Sequence, residues 1–172
     1  ELRALETAGR FVSRLVAPAR LSLSPTALSL GAAELSAGDN GRIRLDETNW
    51  SPRKSVARGS LTGLSFGLVS RPDGRPRRGP GPLVLGASWD LSMGDTLDGQ
   101  LRVFREAGDL TVEGEIRTRL GLGALEAVLS ARGDLLALTA DARGSEFGRV
   151  QANAALRARR TAEGQWTLPP DT

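Results

Sequence analysis

The chain has 172 residues, a formal net charge of +3 and no histidine, cysteine or tyrosine. The usual general base, the thiol nucleophile and the soft metal ligands are therefore missing, so we expect neither an enzyme nor a metal or cofactor site. The arginines are scattered on polar faces beside acidic residues and aromatic residues make up only 4% of the chain, which argues against nucleic-acid binding.

A chain of this length can form a single unit with its own core. It starts without a methionine and stops within a Pro-Pro-Asp pattern, so we expect a segment of a longer protein. It contains no run of 18 apolar residues, so no membrane-spanning helix is predicted within it. We expect one β-rich segment over residues 1–172.

Apolar residues recur at helical spacing at the start of the chain, and Pro18 ends the run. Leu2, Leu5 and Val12 belong to this pattern, which predicts a short amphipathic helix over residues 1–15. Such a helix caps the end of a sheet or lies on a membrane surface.

The apolar period then changes from 3.6 to 2, which predicts a first group of strands over residues 19–70. Residues 71–82, RPDGRPRRGPGP, interrupt it, and their Pro and Gly content predicts a mobile loop. Arg75, Arg77 and Arg78 within this loop either are solvated or touch anionic lipid headgroups.

An antiparallel meander is predicted over residues 83–172, because short alternating runs follow one another with tight glycine turns. The clearest part is a hairpin over residues 125–144 with a Gly133-Asp134 turn. Arg132 precedes this pair and completes an adhesion-like Arg-Gly-Asp tripeptide. Because tight turns favour Gly and Asp for backbone reasons, we interpret the tripeptide as a turn rather than an integrin ligand.

The inward face of these strands consists mainly of Leu, Val, Ala and Gly, with Trp50, Trp89 and Trp166 as the exceptions. It must be covered by a second sheet, by closure into a barrel or by a ligand. A self-packed sandwich and an apolar groove both remain open on this reasoning. The natural ligand of a groove is an acyl chain, because each buried methylene contributes about 0.8 kcal/mol without any polar contact.

Several stretches resemble the TamB family, the large subunit of the bacterial translocation and assembly module, within the AsmA-like bridge-protein superfamily. They include the order of Trp89-Asp90-Leu91, GQLRV and REAGDL, then GLGALEAVLSARGD, GRVQANAALRAR and GQWTLPPDT. LSLSPTALSLGAAELSAGDNGRIRLDETNW and ARGSLTGLSF extend the resemblance over nearly the whole chain. It is a diffuse pattern of alternation, glycines and tryptophan spacing.

The resemblance implies an all-β fold, namely a long curved antiparallel sheet called a β-taco, whose half-closed groove is apolar. It also implies a periplasmic protein anchored to the inner membrane outside this segment, a barrel-assembly-type partner in the outer membrane, and phospholipid movement between the membranes.

The groove-lining candidates come from alternation alone, because the resemblance supplies no residue roles. They are the inward-facing apolar residues of the second half of the chain: Leu101, Val103, Leu110, Val112, Ile116, Leu125, Leu129, Leu136, Leu138, Val150 and Leu156.

The sequence thus favours a non-enzymatic scaffold that binds phospholipid acyl chains in a groove. The alternative is a binding module for outer-membrane protein assembly, in which an exposed edge strand pairs with a client strand.

Overall fold

The computed structural model describes residues 1–7, 13–38, 40–66, 82–112, 118–161 and 166–167. Within them the chain forms sixteen strands, β1 to β16, and no helix. Their bounds are β1 Glu6–Thr7, β2 Ser13–Leu15, β3 Leu21–Ser24, β4 Ala27–Leu30, β5 Ala33–Ala37, β6 Gly41–Trp50, β7 Ser55–Phe66, β8 Leu83–Met93, β9 Leu97–Ala107, β10 Thr111–Val112, β11 Thr118–Arg119, β12 Leu122–Arg132, β13 Leu135–Gly144, β14 Gly148–Arg157, β15 Arg159–Arg160 and β16 Trp166–Thr167.

Twelve of these strands form one antiparallel sheet. Its order is β1-β2-β5-β6-β7-β8-β9-β12-β13-β14, and the β3–β4 hairpin joins through β4 to β6. The two end strands do not pair with each other, so the sheet is open. The predicted all-β fold with a long antiparallel sheet is therefore confirmed.

The predicted helix over residues 1–15 is wrong. β1 pairs with β2 instead, with Glu6 opposite Arg14, and Leu2 forms a bridge with Ala19. Gly9 lies in the middle of the proposed helix and costs about 1 kcal/mol there relative to alanine. β2 pairs with the edge of β5, whereas an isolated helix of this length is only marginally stable in water because its first turn is costly to form. Residues 8–12, which include Val12, lie outside the described part.

The described strands of the first group, β3 to β7, fall within residues 19–70, and the second half runs from β8 onward. The predicted loop at 71–82 lies outside the described residues except for Pro82, which bridges to Asp109. Alternation predicts one strand through residues 110–119. The chain instead reverses there, because Thr111 pairs with Arg119 in a separate β10–β11 hairpin.

The β12–β13 hairpin has the predicted two-residue turn. Gly133 takes φ +66° at the first turn position, which is what a type II′ turn requires. Asp134 pairs with Arg157 Nη1 at 2.8 Å, and its carbonyl accepts the Ala158 N–H at 2.8 Å. The Arg-Gly-Asp tripeptide therefore has a structural role in joining this turn to the end of β14.

The described strands form one large sheet and two separate two-stranded hairpins, so a second large sheet is not present among these residues. No large side chain is fully buried in this part of the chain. The buried apolar residues are mostly alanines: Ala19, Ala33, Leu35, Ala37, Leu83, Ala87, Leu122, Ala131 and Ala158.

Candidate functional site: the apolar face

The pairing registers divide the sheet into two chemically different faces. Side chains alternate along a strand, and residues directly opposite each other on neighbouring strands point to the same side. Following the paired residues from strand to strand therefore reveals which residues share a face. On one face these paths are apolar, and on the other they are rich in charge.

Three adjacent rows of apolar residues cross the strands. The first contains Leu15, Leu35, Ile43, Leu61, Ala87, Val103, Ala127, Ala140 and Ala152. The second contains Ala33, Leu45, Gly59, Trp89, Leu101, Leu129, Leu138 and Ala154. The third contains Ala57, Leu91, Gly99, Ala131, Leu136 and Leu156.

A short fourth row adds Leu125, Ala142 and Val150 beside the first row. We call the four rows together the apolar face. The first row alone spans nine strands. At roughly 4.8 Å between strands, the apolar face is about 40 Å long. It runs across the strands, along the long axis of the sheet.

Eight of the eleven predicted groove residues lie on the apolar face: Leu101, Val103, Leu125, Leu129, Leu136, Leu138, Val150 and Leu156. Leu110 lies in the connection after β9, outside the twelve-stranded sheet, and its side chain is exposed. Val112 belongs to the separate β10–β11 hairpin. Ile116 lies outside the described residues.

The prediction missed the half of the apolar face that β2 and β5 to β8 supply. Leu35, Ile43 and Leu61 are directly paired neighbours there. Alternation in AELSA and GRIRLDE signals Leu35 and Ile43, but the predicted groove residues all lie in the second half of the chain, where the alternation is cleaner.

The apolar face is more exposed towards β14. Leu129 is 36% exposed, Leu138 40% and Val150 55%. Leu101 and Leu125 are half-buried. The described residues therefore cover these side chains only in part.

Trp89 is the largest side chain of the apolar face, and it leans across the neighbouring strand. A Cβ placed on Gly59 would come within 2.6 Å of the Trp89 ring, so the indole occupies the space that a side chain at Gly59 would take. The two residues are directly paired in the second row. The ring therefore adds apolar area without a bulky neighbour on β7.

The opposite face, which we call the polar face, carries cross-strand ion pairs. Arg58 bridges Glu47 and Asp90, each at 2.9 Å. Arg102 pairs with Glu126 at 2.5 Å. The hydrogen bond and charge of Asp90, followed by the charge of Glu47, raise the pKa of Arg58 above its usual value. This face is built to contact water.

Asp141 lies on the polar face near the β14 edge and accepts hydrogen bonds from arginine side chains. Arg149 binds its carboxylate at 2.5 Å and Arg143 at 3.2 Å. The hydrogen bond from Arg149 is the main reason that the pKa of Asp141 lies below its usual value, although burial opposes it. The carboxylate is therefore ionised at neutral pH.

Asp109 closes the connection that brings β12 beside β9 after the inserted β10–β11 hairpin. Its carboxylate accepts the N–H groups of Leu110 and Leu122 at 2.8 Å and of Gly121 at 3.1 Å. Burial raises the pKa of Asp109, but these three donors and the charge of Arg105 outweigh it, so the pKa lies below its usual value. Next to this connection, the pairing of β9 with β12 continues the apolar rows from one half of the sheet to the other.

The described residues offer no group of three or more side chains that could hold a metal ion. No helix in the described ranges has the length and apolarity needed to cross a lipid bilayer. What the arrangement offers chemically is a broad apolar surface.

No family model matches the chain, and neither a curated protein nor a solved structure matches it.

Proposed function

We propose that the chain is a non-enzymatic periplasmic scaffold segment whose apolar face binds the acyl chains of phospholipids. In this proposal it carries phospholipid between the inner and outer membranes as part of a translocation and assembly module. The observation that supports it best is the first row, an unbroken apolar path over nine strands.

The direction of the rows matters for transport. They cross the strands, so an acyl chain that moves along them passes from one strand to the next at steps of about 4.8 Å. Each step exchanges one set of Leu, Val and Ala contacts for a similar set. Because apolar contacts are non-directional, such movement has no specific polar contact to break.

A bound acyl chain would also cover apolar side chains that are otherwise exposed to water. Leu138 and Val150 leave much of their surface open to solvent. Each methylene that such a surface removes from water contributes about 0.8 kcal/mol. A chain of a dozen methylenes in contact would thus gain on the order of 10 kcal/mol before the cost of ordering it.

The cellular setting belongs to the same proposal. We infer a periplasmic location, an inner-membrane anchor outside this segment and an outer-membrane partner of the barrel-assembly type. These parts depend on the sequence resemblance to the TamB family, whereas acyl-chain binding is supported by the chemistry of the apolar face itself.

The proposal is tested by native mass spectrometry of the purified chain after exposure to phospholipid vesicles, followed by extraction and lipid analysis. We expect bound phospholipid on the folded chain and a marked loss of it on Leu129→Arg. A folded wild-type chain that binds no phospholipid would refute the proposal.

A second candidate function is supported by the edge of the sheet. β14 is ten residues long, and all of them except Leu156 are exposed. It pairs with β13 on one side, and no described strand occupies its other side. Such an edge can template a client strand through main-chain hydrogen bonds, as a module for outer-membrane protein assembly would require.

A further inference from the structure

One end of the sheet carries three turns in succession along the long axis of the apolar face. They are residues 51–54 between β6 and β7, 94–96 between β8 and β9, and 133–134 between β12 and β13. Successive turns are two strands apart, which places them about 10 Å from each other. The end of β14 lies beside the last of them, since the Ala158 N–H donates to the Asp134 carbonyl.

Direct contacts join these turns into one border. Met93, at the end of β8, pairs with Ser55 on one side and Leu97 on the other. The Leu97 N–H donates to the Gly133 carbonyl at 2.9 Å. Arg160, beyond β14, binds the carboxylate of Asp95. We call residues 51–54, 94–98, 132–134 and 157–160 the basic rim.

Cations outnumber carboxylates two to one on the basic rim. The cations are Arg53, Lys54, Arg132, Arg157, Arg159 and Arg160, and the carboxylates are Asp95, Asp98 and Asp134.

All three carboxylates of the rim are already engaged. Asp134 pairs with Arg157, and Asp95 pairs with Arg160. Asp98 accepts hydrogen bonds from the Thr96 hydroxyl and the Gly133 N–H, which together hold its pKa below the usual range. Two of the three carboxylates are therefore neutralised by rim cations, and Asp98 keeps its negative charge in hydrogen bonds to neutral donors.

Four cations of the rim form no ion pair with any described residue: Arg53, Lys54, Arg132 and Arg159. All four are exposed. This contrasts with the polar face, where Arg42, Arg58 and Arg102 each contact a carboxylate. Four unpaired cations thus lie together at this end of the sheet, at the strand ends that border the apolar face.

The third row of the apolar face is the one nearest to the rim. Leu91 lies two residues before the end of β8, and Leu136 follows the Gly133-Asp134 turn by two residues. Two residues of a strand span about 7 Å. An acyl chain on the third row can therefore place its headgroup at the rim without a gap between apolar and charged contacts.

Resting on the proposed lipid-binding function, we propose that the basic rim binds the headgroup phosphates of anionic phospholipids whose acyl chains lie on the apolar face. An anionic headgroup gains from the unpaired cations. A zwitterionic headgroup gains less, because its own ammonium group opposes them. The chain is therefore selective for phospholipids of net negative charge.

The test uses vesicles with equal amounts of phosphatidylglycerol and phosphatidylcholine. The full chain is incubated with them and separated, and both lipids on the protein are quantified. Total lipid per chain reports on the proposed function, and the ratio of the two lipids reports on the rim. We expect about fivefold enrichment of phosphatidylglycerol, which is what one cation near an anionic surface supplies.

Two variants of equal charge separate the rim from the overall charge of the protein. The rim variant carries Arg53→Gln, Lys54→Gln, Arg132→Gln and Arg159→Gln. The control carries Arg14→Gln, Arg42→Gln, Arg44→Gln and Arg143→Gln, four exposed positions in strands whose ion pairs contribute little to stability. We expect the rim variant to take up the two lipids at the supplied ratio with unchanged total lipid, and the control to keep the enrichment.

Enrichment that persists in a folded rim variant, or that disappears equally in the control, would overturn the rim proposal. So would a wild-type chain that carries both lipids at the supplied ratio, which leaves the proposed function standing. A wild-type chain that carries neither lipid would overturn both.

Salt provides a measurement on the wild-type chain alone, should the fourfold variant fail to fold. In about 1 M salt, where the Debye length is about 3 Å, the enrichment should vanish while total lipid stays. Enrichment that resists such salt would contradict a charge-based rim.

Discussion

Leu138 and Thr139 are neighbours on β13 that lie on opposite faces of the sheet. Leu138 pairs with Leu129 and Ala154 in the second row, whereas Thr139 pairs with Val128 and Asn153 on the polar face. Both side chains are exposed, so each position can accept a long side chain without a buried charge. The two positions therefore form a matched pair for testing which face binds lipid.

We predict that Leu138→Arg lowers phospholipid binding about tenfold or more and that Thr139→Arg leaves it unchanged. Losing contact with two methylenes already costs about 1.6 kcal/mol, which exceeds one factor of ten. Quantitative lipid extraction from both folded variants checks this. Equal lipid loads on the two variants would contradict the assignment of the faces.

Asp109 makes a prediction about pH. Its folded-state pKa is lowered, so the unfolded chain binds the proton more tightly than the folded chain. The stability that Asp109 contributes is present above the unfolded-state pKa of about 3.9 and is lost as the pH falls through the lower folded-state value. Acid should therefore loosen the connection between β9 and β12.

Asp109→Asn should lower the free energy of unfolding at pH 7 by about 1 to 2 kcal/mol. The amide keeps one acceptor oxygen but loses the charge that strengthens three hydrogen bonds. Urea unfolding at pH 7 and pH 3.5 measures both effects, and the variant should lose less stability between these pH values than wild type. The same loss in both proteins would show that Asp109 is not part of this pH response.

At the scale of elements, β14 supports a prediction that separates the two candidate functions. Adjacent residues of an edge strand direct their N–H groups alternately to the neighbouring strand and outward. One of the two variants Ala152→Pro and Asn153→Pro should remove an N–H group that points outward, and it should keep most of the stability of the protein. The other should remove an N–H group that bonds to β13 and should be less stable, so thermal unfolding distinguishes the two.

We expect this stable proline variant to bind phospholipid as wild type does, because position 153 lies on the polar face, and at position 152 proline exchanges one small apolar side chain of the first row for another. If the edge is the functional surface, the same variant should lose binding to an unfolded outer-membrane barrel strand supplied as a peptide. If this variant lost lipid binding as well as peptide binding, the edge and the apolar face would not be separate functional surfaces.

The strands show how far the alternation of the sequence predicts structure. The β12–β13 hairpin was predicted with its turn, because strict alternation flanks Gly133-Asp134 and the turn chemistry agrees with it. The β10–β11 hairpin was missed, because alternation continues from Leu110 to Arg117 with only Gly114 to mark a turn. Periodicity alone does not show where an alternating run reverses.

In the first fifteen residues, the spacing of apolar residues predicted a helix where the structure has strands. A few leucines and valines spaced three or four apart fit a helix, but they also fit short strands that pair at the edge of a sheet. Tertiary pairing with β5 decided between the two. Within residues 1–15 only Gly9 speaks against a helix, and the pairing itself cannot be read there, because the partner strand begins only at Ala33.

For the molecule as a whole, the central question was what covers the apolar side of the sheet. The sequence left a self-packed sandwich and a groove open, because both require the same alternation of Leu, Val and Ala. In the described residues one sheet holds all the apolar rows, and a second large sheet that could form a sandwich with it is not present there. The faces could be predicted strand by strand, whereas the gathering of the strands into one sheet could not.

Trp89 can report directly on whether an acyl chain lies on the apolar face. It lies in the second row between Gly59 and Leu101, near the middle of the apolar face. With Trp50→Phe and Trp166→Phe, it becomes the only tryptophan of the chain, which has three. Its fluorescence then reports on what touches the centre of this face.

The measurement is the fluorescence of this variant loaded with phospholipid whose acyl chains carry bromine, a contact quencher, compared with the same lipid without bromine. If acyl chains lie on the apolar face, the brominated lipid should quench Trp89 strongly at equal lipid load. Unchanged fluorescence with brominated lipid demonstrably bound would place the acyl chains elsewhere and contradict the lipid-carrying role of the face.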